Sequence, residues 1–149
     1  SIYDTFGDKQ TLFLRALQLF EETTGKKMEQ EIKPTPSAKL AIRRLFEMTV
    51  SSNEKKPPGC LIVNTAVELS LHDEEVADRI RKSFSKTESF IYELLVQGQR
   101  NGELSKELDL EKVAQFIHNS FIGIRVLYKT TDDKEKLENI IDSTLAILE

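Results

Sequence analysis

Apolar residues recur every three or four positions along nearly the whole chain, and only two proline clusters interrupt them. That spacing is helical, because residues three and four apart share one face of an α-helix, whereas a strand alternates every two. The interruptions are Pro34 with Pro36, and Pro57-Pro58-Gly59. No internal repeat or low-complexity tract suggests another architecture. The expected fold class is therefore all-α, a bundle of about six helices. The 149 residues suit one domain, and a domain of that size buries about 68–70% of the surface its unfolded chain exposes. A hydrophobic fraction of 39% with eight Phe argues against disorder.

The first helix is expected to start at Asp8, an N-cap residue after Gly7, with Leu12, Phe13, Ala16, Leu17 and Phe20 on its apolar face. A second opens at Thr35-Pro36 and turns Ala38, Ala41, Ile42, Leu45, Phe46 and Thr49 to one side. Ser51 to Gly59 reads as a polar loop. The segment from Cys60 to Val67 is rich in β-branched residues and suits a strand as well as a helix. A short buried helix is expected, since nothing else in the chain offers a strand to pair with. His72-Asp73-Glu74-Glu75 opens a helix that runs through Val76, Ile80, Phe84, Thr87, Ile91, Leu94 and Leu95 to a stop at Asn101-Gly102. Asp109 opens another, with Val113, Phe116, Ile117, Ser120, Phe121 and Ile124 inward. Thr131-Asp132-Asp133 caps the last, where Leu137, Ile141, Thr144 and Leu148 follow the 4-3-4 spacing of a helix–helix seam.

Several function classes are disfavoured. No stretch approaches the roughly 18 apolar residues of a membrane span. The net charge of −4 gives no general attraction to DNA or an anionic membrane. One cysteine cannot form an internal disulfide, which points to a reducing, cytoplasmic setting. Ser1-Ile2-Tyr3-Asp4 has neither the basic nor the apolar part of a signal peptide. His72 and His118 lack partners at metal-ligand spacing, and no glycine-rich loop offers a nucleotide cradle. The acid pairs Glu74-Glu75 and Asp132-Asp133 sit at helix starts, where capping accounts for them. No enzymatic activity, cofactor or metal is expected.

The opening stretch says more. Tyr3-Asp4-Thr5-Phe6-Gly7-Asp8-Lys9, followed by Leu12-Phe13 and Ala16-Leu17, resembles the junction of DNA-binding and regulatory domains in the bacterial tetracycline-repressor (TetR/AcrR) family. The stretch from Gly59 to Glu68 looks like one common in the AcrR-type branch. The resemblance implies that residues 1–9 are the end of a recognition helix and that residues 10–149 form a ligand-binding and dimerisation domain. It implies that Tyr3 and Thr5 touch operator DNA and that Lys9 meets a phosphate, a positioning contact. Asp4 departs from the residues usual there. Without the helices expected ahead of Ser1, this chain alone is not expected to grip a major groove.

The resemblance also implies a cavity for a small hydrophobic effector. Its expected lining is Phe13, Leu17, Phe20, Phe46, Thr49, Ile91 and Phe121, with Asn64, Glu68 and His118 as polar groups. Asn64 and Glu68 stand four apart, share a helical face and would need buried partners; Arg125 could neutralise Glu68 or meet an anionic effector. A homodimer is expected through the last two helices. Ser120 and Gly123 would allow close approach, and Ile124, Leu127, Leu137, Ile141, Leu145 and Leu148 would supply the apolar contact. Cys60 follows Lys55-Lys56 and a Pro-Pro-Gly turn, so a thiol sensing oxidants or electrophiles is one alternative. A helical protein-interaction module without DNA binding is another.

Overall fold

The computed structural model describes residues 2–51, 68, 69 and 71–149, with side chains from Gln10 onward. The described residues form five α-helices and no strand. They are α1 (Ile2–Lys27), α2 (Ala38–Val50), α3 (Glu74–Arg100), α4 (Leu110–Leu127) and α5 (Lys134–Leu145). A π-helical turn, Met28–Ile32, continues α1, and a 3-10 turn, Ala146–Leu148, ends the chain's last helix. The expected helix at Cys60–Val67 lies outside the described residues.

Most boundaries follow from local caps. The side chains of Asp73, Asp109 and Asp133 accept backbone N–H groups at the starts of α3, α4 and α5. Each such cap is worth about 1 kcal/mol relative to Ala. At the end of α3, Gly102 adopts φ 84°, the left-handed conformation that glycine reaches at least cost. Two starts differ from the sequence reading. Helix α2 is capped by Ser37, whose side chain accepts from Leu40 N–H, rather than by Thr35. Thr35 is instead buried, and its hydroxyl accepts from Arg44 at 3.1 Å. Helix α1 does not start at Asp8 but runs unbroken through Gly7 and Asp8 from Ile2. A single interior glycine costs only about 1 kcal/mol, which does not end a helix with favourable neighbours on both sides.

The main core is built around α2. Its Ile42, Leu45 and Phe46 meet Ile91, Leu94 and Leu95 of α3, Ile117, Phe121 and Ile124 of α4, and Leu137, Ile141 and Leu145 of α5. Phe46 and Phe121 pack edge to face, with ring centroids 5.3 Å apart. Such a pair adds about 0.5–1.5 kcal/mol beyond its area burial. A second, smaller cluster holds α1: Phe13 and Leu17 bury against Val76 and Ile80 in the first half of α3, with Leu14, Phe20, Leu69 and Phe84 at its border. Polar ties reinforce it, from Gln10 to Asp73 at 2.8 Å and from Arg79 to Glu21 at 3.0 Å.

The sequence reading pointed Phe116 inward, but it is 48% exposed. The correction extends to the expected dimer contacts. Ile124, Leu137, Ile141, Leu145 and Leu148 are all buried within the protomer. Their 4-3-4 spacing marks a seam, and the seam is the internal one between α5, α2 and α4.

The carboxylate of Glu103, just beyond α3, joins that helix to the start of α2. Its Oε1 accepts from Ala38 N–H at 2.6 Å; its Oε2 accepts from Lys39 N–H at 3.0 Å and from Ser37 hydroxyl at 2.8 Å. Gly98 makes the approach possible, because a Cβ there would meet the Ala38 Cβ at 2.7 Å. Glu103→Ala strips α2 of this tertiary cap while leaving Ser37 in place. We expect a loss of about 1–2 kcal/mol in urea unfolding, with the first α2 amides losing hydrogen-exchange protection ahead of those in α4. Unchanged stability and protection would show the contact to be energetically idle.

Candidate functional site

A cavity of about 1020 Å³ lies between the two apolar clusters. Helix α1 lines it with Ala16, Leu19, Phe20, Glu21, Thr23 and Thr24, and the π turn adds Met28. Leu45, Met48 and Thr49 come from α2; Ser83, Phe84, Thr87 and Phe90 from α3; Phe121, Arg125 and Tyr128 from α4 and its end. The wall is therefore apolar and aromatic with a few hydroxyls, the usual make-up of a small-molecule pocket.

Arg125 is a charged group set into this wall, only 8% exposed. Its guanidinium carbon lies 5.9 Å from the Phe20 ring centre and 5.3 Å from that of Phe121, so it bridges α1 and α4 by cation–π contact. Glu21 sits on the α1 side. Its Oε2 accepts from Arg79 at 3.0 Å and lies 4.0 Å from Lys86, while its Oε1 is buried with no hydrogen-bond partner among the described residues.

The structure divides the expected ligand residues. Phe20, Thr49 and Phe121 line the cavity. Phe13, Leu17, Phe46 and Ile91 are buried in the two clusters instead, because their helical faces point between elements rather than into the opening. His118 is not among the lining residues, but its ring packs edge-on to Phe84, which is, at 5.6 Å. Glu68 is exposed, so it needs neither a buried partner nor neutralisation by Arg125. Asn64 and Cys60 lie outside the described residues, as do the side chains of Tyr3, Thr5 and Lys9. The sequence reading missed Ser83, Phe90, Tyr128 and the two methionines. A signal existed for α3, where Ser83 and Thr87 interrupt the apolar stripe Ile80, Phe84, Ile91 on the same face.

His118 is buried, and its affinity for a proton is held below the usual histidine range, first by desolvation and then by the charge of Arg125. Its Nδ1 lies 3.8 Å from a Glu88 oxygen, but a neutral imidazole makes no ion pair there.

The chain belongs to the tetracycline-repressor family of transcriptional regulators. Residues 39–144 match the family model described as tetracyclin repressor-like, C-terminal domain, which covers α2 to α5. Among named relatives, it is similar to the uncharacterised HTH-type transcriptional regulator YezE of Bacillus subtilis, with 29% identity over 100% of this chain and 78% of that protein. It is also similar to the HTH-type transcriptional repressor ComR of Escherichia coli, with 23% identity over 99% of this chain and 71% of ComR. Among solved structures, a cysteine mutant of the TetR family regulator CifR, complexed with 26-bp double-stranded operator DNA, superposes with a TM-score of 0.83. That match has 25% identity and covers 100% of this chain and 79% of CifR.

The burial of His118 has a measurable consequence. The unfolded chain takes up a proton near the ordinary value of 6.5, whereas the folded chain resists it. The unfolded state then binds more protons, so stability falls as pH drops below that value. We expect His118→Gln to flatten the decline in melting temperature between roughly pH 6.5 and 5. A wild-type slope that survives the substitution would assign it to another group.

Proposed function

We propose that this chain is the effector-binding and dimerisation part of a ligand-responsive repressor, acting in the cytoplasm as a homodimer and without catalytic activity. One observation carries the reading: the cavity lies where the small cluster holding α1 meets the main core, so an occupant touches both. Residues 1–9 belong, on this reading, to the end of the DNA-reading unit. Tyr3, Thr5 and Lys9 meet the operator from there, and α1 carries displacement to that end. A ligand shifts DNA affinity only if it binds one placement of α1 better than another. Phe20 and Arg125, in contact across the cavity, are the groups best situated to make that difference.

The test combines stability with DNA release. A hydrophobic compound at a hundredfold excess over its Kd should stabilise the protein by about 2.7 kcal/mol. It should also dissociate the full-length regulator from operator DNA, and both effects should weaken in Phe20→Ala. Stabilisation without any change in operator affinity would remove the effector role from the cavity.

The dimer surface is the outer face of α4 and α5. Phe116, Ser120, Gly123 and Leu127 recur at helical spacing on α4, and Ile140, Ser143 and Ile147 do so along α5 and the 3-10 turn that follows it. Of these, Phe116, Gly123, Ser143 and Ile147 are exposed and the others partly so. Ser120 and Thr144 hydroxyls, 2.7 Å apart, tie the two helices together beneath this face. A Cβ at Gly123 would meet nothing within 4 Å inside the protomer. Gly123→Arg should therefore leave the helical circular dichroism intact while converting the dimer to a monomer in light scattering. A dimer that persists would move the interface off α4.

A further inference from the structure

We propose that the cavity selects a hydroxyl compound, a phenol or an alcohol on an apolar body, whose one oxygen accepts from Ser83 and donates to Thr87. This rests on reading the cavity as the effector site and adds the chemical class of its occupant.

Ser83 lines the cavity from α3 and is only 7% exposed. Its hydroxyl has no hydrogen-bond partner among the described residues. The threonines of the same wall differ, since Thr23, Thr49 and Thr87 each donate to a carbonyl of their own helix. A hydroxyl withdrawn from bulk water costs free energy until it is paired. The cavity is the space open to Ser83, so an occupant is placed to supply the missing partner. Thr87 lines the cavity one turn further along α3, and its Oγ1 lies 3.4 Å from Ser83 O. A carbonyl only accepts, so the threonine is the donor in that bond. What Thr87 offers the cavity is its lone pairs, whereas Ser83 offers a hydrogen.

One donor and one acceptor thus stand four residues apart on one helix. Side chains at that spacing have Cβ atoms about 5–6 Å apart. Two O–H···O bonds of about 2.5–3.0 Å that meet at a single oxygen span a similar distance. The oxygen of an alcohol or phenol suits the pair because it accepts and donates from the same atom. An ether, a ketone or a carboxylate only accepts, so it would meet Ser83 and leave Thr87 unanswered. Thr49, on α2, gives its hydrogen to Leu45 O at 3.4 Å and adds a further acceptor to the wall. Around these hydroxyls, Phe20, Phe84, Phe90 and Phe121 supply the surface for an apolar, preferably aromatic, body.

Equilibrium dialysis at neutral pH compares 4-benzylphenol with 4-benzylanisole and 4-benzyltoluene, and 2-naphthol with 2-methoxynaphthalene and 2-methylnaphthalene. Each body then appears with a hydroxyl, an ether and a methyl group of hydroxyl size. For each body that binds, the hydroxyl form should bind about tenfold or more tighter than the other two, which leave the wall's polar groups unpaired. Ser83→Ala should remove most of that preference, and Ser83→Ala with Thr87→Val should bring the three forms within about threefold of one another. The melting temperature of unliganded Ser83→Ala should be unchanged or slightly raised, since no bond within the protein is lost and alanine is the better helix former. A fall would make the hydroxyl structural and overturn the assignment. An ether or methyl analogue that equals the hydroxyl form on the wild-type protein also overturns it, as does a preference that survives both substitutions or a failure of all six compounds to bind. Hydroxyl-selective binding that leaves the operator affinity of the full-length regulator unchanged keeps this assignment and removes the effector role. Operator release by compounds that show no hydroxyl preference does the reverse.

Discussion

The contact on which the bundle's arrangement most depends is the carboxylate of Glu103 set against the open amides of α2. An α-helix begins with backbone N–H groups that its own carbonyls cannot satisfy. Here a side chain 65 positions away in sequence takes the Ala38 N–H, and it takes the Lys39 N–H as well. Burial alone would raise the affinity of Glu103 for a proton. The hydrogen bonds from Lys39, Ser37 and Ala38, with the charge of Lys39, outweigh it and keep the group ionised. The bond places the start of α2 beside the end of α3, where the bare backbone of Gly98 leaves room for Ala38. Once that end is pinned, Ile42, Leu45 and Phe46 fall opposite the apolar faces of the other three helices of the main core.

Helix α1 stands in contrast. Among the described residues, its buried Phe13 and Leu17 meet the first half of α3, through a cluster separate from the one that holds α2 to α5 together. The cavity opens at the boundary between these two clusters, and aromatic rings from both sides face it. Arg125 spans that boundary by lying against one ring from each.

Features set by neighbours in sequence were legible without coordinates. Asp73, Asp109 and Asp133 signal helix starts because an N-cap bonds to amides two or three residues on. Asn101-Gly102 marks a stop for an equally local reason. Asp8 carried the same signal and failed, since a residue able to cap still needs the chain to turn before it. Periodicity identified Leu137, Ile141, Thr144 and Leu148 as seam residues, but spacing does not say whether the opposing surface belongs to the same chain. The aromatic part of the cavity was half visible: Phe20 and Phe121 line it, whereas Phe13 and Phe46, equally apolar and equally spaced, fill the clusters beside it. Neither the Glu103 bond nor the bridge from Arg125 to Phe20 could be read, because each joins residues from distant parts of the sequence.

The π turn at Met28–Ile32 gives one stretch of the chain an unusual tolerance of length. Lys33 N–H donates to Met28 O at 2.9 Å, one residue further back than in an α-helix, so an additional residue is wound into the turn. Deleting that residue would restore α-helical winding with the flanks nearly in place, because the wide turn closes with one residue more than an α-helical turn. Phe13 and Leu17 would then keep their places against Val76 and Ile80. Substitution along the exposed positions Glu29, Gln30 and Glu31 changes little that is buried. Across descendants of this chain, the turn should thus drift freely in composition and vary by one residue in length, whereas one deletion from the regular winding of α1 would turn its buried face by about 100°.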